Sequence, residues 1–571
     1  MTAVQETNCA DLLIDNVRIV DVLSGTIREG CVAVKNGRIL GFTRCDAHEI
    51  YDAAGRYLVP GFIDSHVHIE SSMLSPAGFA SLLLPFGTTT VVADPHEMTN
   101  VSGEEAVLGL IKAAQHLPMS VKVMVPSCVP ALPFEDSGAV LASDDVKKLL
   151  PYPEVLGLGE MMNFPGVISR DPEVMAKINA TLELGKTVDG HAPMLKGAEL
   201  EAYAAAGIKT DHECSTPEEL RERVALGMYA AIRQGSAARN LLALVPGIDD
   251  KLTRRCLLCT DDRHAADTLE KGHIAAIVAL AVEAGIDPIE ALRMATLNTA
   301  ECYGMNDRGA IAPGRRADLV LVDDLKSFKV KAVWTEGNIV AEDGRLTIPA
   351  PKDAPDFLRN TVHIAPVTED QFALQIPSGH ARMIGILPHD LTTVEKFADV
   401  KVREDGNMYL ADNPGMIKIA VVERHKASGK TGVALFDPAY GLKGGAIATS
   451  ISHDSHNIVV AGDSEADMAA AVREVARLQG GIVMVSKGEV VAELELPVAG
   501  LMSDKSPDEV AAKIRELTAL AHDRFGITKD ADAFMTLSFM ALPVIPYLKL
   551  TARGLFDVMK FQFVSSDANH Q

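Results

Sequence analysis

Val59-Pro60-Gly61-Phe62-Ile63-Asp64-Ser65-His66-Val67-His68-Ile69-Glu70 is the stretch whose reading decides the fold. Leu58, Val59, Phe62 and Ile63 read as a buried strand that runs into two histidines. Side chains alternate along a strand, so His66 and His68, separated by one residue, point the same way. Two imidazoles on one side of a strand end can grip one metal ion. An isolated His-x-His more often marks ordinary structural histidines. The reading therefore turns on whether later segments supply further ligands in the same rhythm.

Working outward, the stretch opens a long run of alternating strand and helix signals. From Pro60 to Gly304 it spans about 245 residues, close to the roughly 250 typical of an eight-fold βα barrel. Eight strands are predicted. They are Phe62 to Ser65, Thr89 to Ala93, Val121 to Val125, Val155 to Gly159, Lys186 to Gly190, Ile208 to Asp211, Tyr229 to Arg233 and Cys256 to Thr260. Helical stretches lie between most of them. Thr216-Pro217-Glu218-Glu219 is a capping box with proline at the first helical position, and Gly227 is a stop signal. Repeated βα units with short links imply a parallel sheet, and eight without a break favour closure into a barrel.

On either side lie two matching β layers. Between Asp11 and Val59 short apolar pieces alternate with turn signals, among them the hairpin dipeptide Asn36-Gly37. A similar piece follows at Gly309 to Val322 and Val330 to Trp334. Residues 1–59 and 305–349 are therefore expected to form one composite β-sandwich domain around a catalytic barrel of residues 60–304. A proline-containing linker leads from Ile348 to Pro355. Residues 360–571 then read as an additional C-terminal α+β domain, with helices over Ser464 to Gly480 and Ser506 to Arg524. The expected fold class is α/β: a (β/α)8 TIM-like metal-dependent hydrolase barrel with these two further domains.

Bulk properties narrow the function. A chain of 571 residues is too long for one core, and 47% hydrophobic with 23% charged residues is an ordinary soluble mixture. A net charge of -23 argues against nucleic-acid and anionic-membrane partners, though not against a nearly neutral nucleobase. Met1 to Leu13 lacks the pattern of a leader peptide, and the apolar run Phe534 to Leu550 is broken by Pro543 and Pro546. The eight cysteines are scattered; Cys256 and Cys259 fall on opposite faces of a predicted strand, so they make no redox pair. A reduced, cytoplasmic protein is expected.

In a βα barrel the chemistry sits at the carboxyl ends of the strands. The first strand ends in His66 and His68, the second in Asp94-Pro95-His96-Glu97, and the fourth in Glu160. The fifth ends in His191, the sixth in His212 and the eighth in Asp261-Asp262. Three strands thus present histidine and two others a carboxylate at one level. Imidazole with carboxylate suits Zn2+, Mn2+ or Fe2+ better than Ca2+ or Mg2+. Four histidines and two carboxylates suffice for two ions, and Glu160 is the natural bridge because one carboxylate can give an oxygen to each. Metal-bound water ionises near neutral pH and becomes a nucleophile, and Asp261 beside it can take and return a proton. Asp262 and His264 are neighbours that could stand in for Asp261. These residues describe a hydrolase.

The ordered set resembles the amidohydrolase superfamily, and more narrowly the bacterial adenine deaminase family. The motifs that carry the likeness are His68-Ile69-Glu70-Ser71-Ser72-Met73, Ala93-Asp94-Pro95-His96-Glu97 and Gly157-Leu158-Gly159-Glu160-Met161-Met162-Asn163. Asp189-Gly190-His191-Ala192-Pro193, Thr260-Asp261-Asp262-Arg263-His264 and Ile451-Ser452-His453-Asp454-Ser455-His456-Asn457 complete it, over essentially the whole chain. The resemblance implies hydrolysis of adenine to hypoxanthine and ammonia by metal-hydroxide attack on C6, at a binuclear site filled by Mn2+ or Fe2+. Many superfamily members bridge their metals with a carboxylated lysine on the fourth strand; here Glu160 takes that place. Carried onto this chain, His66 and His68 hold one ion with Asp261, and His191 and His212 hold the other. Asp261 and Glu160 are the catalytic pair.

Purine binding is expected of Glu70, Asp94, His96, Glu97, His453, Asp454 and His456, although Asp94 to Glu97 also read as a plain turn. His453-Asp454-Ser455-His456 resembles pieces of a serine triad, but triads assemble from distant positions. A loop of the C-terminal domain touching the purine is the preferred reading. The partner is a small purine base, with no nucleic acid and no membrane, and a homo-oligomer is the expected assembly. The rivals are a hydrolase of cyclic amides or N-acetyl groups and a non-catalytic scaffold. The first would usually carry the fourth-strand lysine or lack the large C-terminal domain, and the second would have lost ligands.

Overall fold

The computed structural model describes residues 9–236 and 238–570. The reading of Met1 to Leu13 falls mostly outside these residues. The chain divides into two compact units. One comprises Met1–Pro95, Val107–Ser127 and Ala142–Ala354; the other comprises His96–Ala106, Cys128–Leu141 and Pro355–Gln571.

In the first unit, distant parts of the sequence share one nine-stranded sheet. Ala10–Asp21, Thr26–Lys35, Arg38–Gly41, Ala47–Asp52 and Tyr57–Pro60 precede the βα run, while Leu319–Val322, Val330–Thr335, Asn338–Glu342 and Arg345–Leu346 follow it. The seam is the antiparallel pair of Tyr57–Pro60 with Leu319–Val322, in which Val59 faces Val320. Period-two apolar residues explain the joining, because Leu12, Ile14, Val32, Val34, Leu58, Leu319, Leu321 and Trp334 bury one common face. Asn36 and Gly37 turn the chain at φ 52° and 72°, the left-handed pair that a two-residue type I′ hairpin requires.

Eight strands run between the halves of that sheet. They are β1 (Phe62–Val67), β2 (Thr88–Ala93), β3 (Ser120–Val125), β4 (Val155–Met161), β5 (Thr187–Gly190), β6 (Thr210–Asp211), β7 (Tyr229–Arg233) and β8 (Cys256–Cys259). Strands β1 to β5 pair parallel in one sheet, and β6 to β8 in another. Strand β6 is shorter than its sequence implies, yet Lys209 just before it ties the two sheets. Its N–H donates to the Val188 carbonyl of β5, and its own carbonyl accepts from Tyr229 N–H of β7. Beyond β8, the Asp261 N–H donates to the His66 carbonyl of β1. The result is a curled parallel sheet. Both β1 and β2 are buried at every position, polar residues included: Asp64, Ser65 and His66 lie as deep as Phe62 and Ile63, and Thr88, Thr89 and Thr90 as deep as Val91 and Val92. Cys256 and Cys259 are buried free thiols. The capping box forms as expected: Thr216 Oγ1 accepts from Glu219 N–H at the start of Pro217–Ala225, and Gly227 stands beyond its end at φ 86°.

The second unit is built on an eight-stranded sheet whose one parallel pair is His380–Ile386 with Thr431–Phe436. Helix Glu465–Arg477 lays Met468, Val472 and Val475 on the apolar face formed by Ala420, Val460 and Val483. Helix Pro507–Asp523 starts at a second capping box, made by Ser506 and Glu509. His96–Ala106 and Cys128–Leu141 also belong to this unit, although each is flanked in sequence by segments of the first. Asn457 donates to the Asp136 carbonyl, Lys430 and Arg553 pair with the Asp136 carboxylate, and Phe134 packs on Phe556 at 4.6 Å. No helix among the described residues is long and apolar enough to cross a membrane.

Candidate metal centre

The site is assembled in the first unit from the ends of five strands. β1 runs out through His66 and His68, β4 carries Glu160, His191 follows β5, His212 follows β6, and Asp261 lies just beyond β8. The expected six ligands therefore come together. Glu160 Oε1 lies 3.5 Å from His68 Nε2, while Glu160 Oε2 lies 2.8 Å from His191 Nδ1 and 3.3 Å from His212 Nε2. The carboxylate is shared between two groups of imidazoles, one oxygen to each. Asp261 Oδ1 stands 3.2 Å from His68 Nε2 and 3.7 Å from His66 Nε2. The His66 and His212 rings stack at 4.2 Å.

Supporting bonds fix these side chains. His68 Nδ1 lies 2.9 Å from the Asp94 carbonyl oxygen, so this nitrogen carries a proton and it is Nε2 that would give up its own to offer a lone pair to a metal. Asp94 Oδ2 accepts from the Glu160 N–H at 2.8 Å, and Gly159 allows that approach, since a Cβ there would lie 2.2 Å from the same oxygen. Asp64 accepts from Thr260 N–H and Oγ1–H, tying β1 to the turn that carries Asp261.

The electrostatics favour a cation. Burial pushes the Glu160 carboxyl up, but His191 and His212 outweigh it and hold the group well below the usual carboxylate range. Burial likewise raises Asp261, and the His68 bond, His212 and Arg233 pull it well below. Burial lowers His68 and His212, yet their carboxylate neighbours hold both well above the ordinary imidazole range. A field that keeps protons on two buried imidazoles will hold a divalent ion in their place. His66 is drawn well below its ordinary range by burial, His212 and His68, and its Nε2 has no hydrogen-bond partner among the described residues. An orphaned buried ring nitrogen beside four other imidazole and carboxylate donors fits a borderline divalent metal.

Two residues outside the expected ligand set belong to the same cluster. Glu213 lies 3.4 Å from His212 Nε2 and 3.5 Å from His191 Nδ1, and Arg233 at the end of β7 bonds both Glu213 and Asp261. Burial raises the Glu213 carboxyl, but His191, His212 and Arg233 bring it down to about 2. The available signal was positional. β7 ends in a charged residue at the level where its neighbours present ligands, and an acid directly follows His212. Asp262 accepts from Ser71 Oγ at 2.5 Å, and His264 caps the helix Ala265–Lys271 with its own N–H on Ser236.

Of the residues expected to bind the purine, Glu70 and Asp94 are buried in the first unit. The other five form a buried cluster in the second unit. His96 and Glu97 open the helix His96–Ser102 rather than a turn. His453 Nδ1 lies 3.2 Å from Glu97 Oε1, its ring stacks on Phe539 at 4.4 Å, and His96 Nε2 is 3.9 Å from Asp454 Oδ1. His456 Nδ1 accepts from the Ser452 N–H at 3.2 Å, so the neutral ring carries its proton on Nε2. Burial keeps that ring well below its ordinary range, and Nε2 has no partner among the described residues. Glu97, His453 and His456 offer ligand atoms within 4.8 Å of one another, but a proton on His456 Nε2 suits an acceptor better than a cation.

Residues 57–340 match the amidohydrolase family, and residues 390–562 match the adenine deaminase C-terminal domain. The chain is 52% identical over 97% of its length to the adenine deaminase of Nitratidesulfovibrio vulgaris (strain DP4), covering 96% of that protein. It is 47% identical to the adenine deaminase of Desulfatibacillum aliphaticivorans and 44% identical to that of Clostridium acetobutylicum, each with 97% of both chains covered. Among solved structures, a β-aspartyl dipeptidase from Fervidobacterium islandicum AW-1 aligns with 59% of this chain and 99% of its own, at 18% identity and a TM-score of 0.46.

Proposed function

Because the chain belongs to the adenine deaminase family, we propose that it hydrolyses adenine at C6, giving hypoxanthine and ammonia. The observation that carries the chemistry is the division of Glu160 between His68 on one side and His191 with His212 on the other. In this reading His66, His68 and Asp261 would hold one divalent ion, His191 and His212 the other, with Glu160 between them. Bound there, such ions supply a water acidic enough to act as a nucleophile near neutral pH. Asp261 takes the proton that the attacking water gives up and returns it to the amine as the C6–N bond breaks. Oxygen enters at C6 and ammonia leaves.

The finer parts of the reading belong to the same proposal. The eight parallel strands act as a (β/α)8 barrel of residues 60–304, flanked by a β-sandwich domain of residues 1–59 and 305–349 and a C-terminal domain of residues 360–571. Mn2+ is the preferred ion, with Fe2+ and Zn2+ as alternatives of the same donor chemistry. Glu70, Asp94, His96, Glu97, His453, Asp454 and His456 bind the purine, a role supported by the donor on His456 and the carboxylate of Asp454. The enzyme works in the cytoplasm as a homo-oligomer. The test is direct: purified protein supplied with Mn2+ should release ammonia from adenine, in a screen that includes other purines, pyrimidines and cyclic amides. Inertness toward adenine at full metal occupancy would overturn the reading.

A further inference from the structure

Arg233 and Glu213 touch the candidate centre without standing among its expected ligands. Arg233 Nη1 and Nη2 donate to the two carboxylate oxygens of Glu213 at 2.5 and 2.8 Å, and Nη1 also donates to Asp261 Oδ2 at 3.1 Å. The three side chains are only 16%, 11% and 9% exposed. The oxygens of Asp261 are thereby divided. Oδ1 faces His66 and His68, and Oδ2 is held by the guanidinium. The Asp261 backbone is also constrained. It sits at φ 57°, in the left-handed region, with its N–H on the His66 carbonyl.

We propose that Arg233, anchored by Glu213, is a positioning residue that fixes the carboxylate plane of Asp261 so that Oδ1 alone faces the imidazoles. A carboxylate on a single rotatable bond would otherwise swing between presenting one oxygen and presenting two. A planar guanidinium can bond two carboxylates at once, with one edge fixed on Glu213. A lysine ammonium offers a point charge and no such fork. The role given to Asp261 rests on the deaminase reading; the orientation of its carboxylate does not.

The test uses the full chain loaded with Mn2+ and, separately, with Co2+. Arg233→Ala should keep the metal content of the parent, leave KM for adenine nearly unchanged and lower kcat about 100-fold, the scale of a misplaced catalytic group. Added guanidinium should restore part of the loss, and Arg233→Lys should not. Glu213→Gln should lower kcat less, and combining it with Arg233→Ala should add little, since both act on one geometry. In the Co2+ protein the visible absorption bands should shift at unchanged stoichiometry. A kcat within about threefold of the parent overturns the proposal, as does metal loss in step with activity or a Co2+ spectrum that does not change. If the parent proves inert toward adenine while the Co2+ bands still shift, the functional reading fails and the positioning role stands.

Discussion

Lys549 shows what a single buried charge does to this protein's stability. Its side chain is fully buried and its Nζ donates to the Leu391 and Phe539 carbonyls at 2.9 and 3.0 Å. Burial, only partly offset by Asp390, brings its pKa down from 10.5 to about 7. Between those values the unfolded chain keeps a proton that the folded chain has released, so stability should rise with pH across that window. Below about 7 both states are protonated and the cost is constant. Lys549→Met should flatten the rise between pH 7 and 9 in urea midpoints; an unaltered slope would show that Lys549 keeps its proton in the fold. At the metal centre, Glu160→Gln should lose metal and activity together, and wild-type metal content in that variant would remove Glu160 from the bridging role. Such strand-end residues were legible because β-strand alternation and the βα rhythm together give a level and a direction for each. Arg233 and Glu213 were not. Each is an ordinary charged residue by itself, and their contact exists only once β6 and β7 have paired side by side.

The strands explain why some glycines cannot be replaced. Gly157 on β4 lies opposite Thr187 on β5, and a Cβ at Gly157 would lie 1.7 Å from the Thr187 carbonyl oxygen. That neighbour is backbone and cannot rotate away, so the strands themselves must part. Gly157→Ala should therefore cost about 3 kcal/mol or more in denaturant unfolding, at or above the upper end for overpacked cores. A loss under about 1 kcal/mol would mean that β4 and β5 have slack. The eight parallel strands were legible as short segments recurring in alternation with helical stretches, even where, as in Thr187–Gly190, they are not apolar runs. The extent of β6 was not, because its ladder is set by neighbours on both sides rather than by its own residues. The capping boxes at Thr216 and Ser506 lie near the opposite limit of local legibility, with donor and acceptor only three residues apart.

Across the whole molecule, the sequence gives no hint that His96–Ala106 and Cys128–Leu141 belong with the C-terminal region, because nothing in either segment departs from an ordinary helix or loop. Their packing depends on residues hundreds of positions away, such as Asn457 and Arg553 around Asp136. A chain ended after Ala354 should therefore be poorly soluble and cut rapidly by protease within 96–106 and 128–141. Protection of both segments in the shortened chain would show that they hold without their partners. The path of the chain passes between the two compact units five times, after Pro95, Ala106, Ser127, Leu141 and Ala354. Inheritance feels that threading. Recombination between two related genes at a point near codon 354 would exchange the C-terminal region but leave behind two internal segments matched to the old one. Viable chimeras should carry all three pieces from one parent, so the units are expected to have descended together rather than as exchangeable modules.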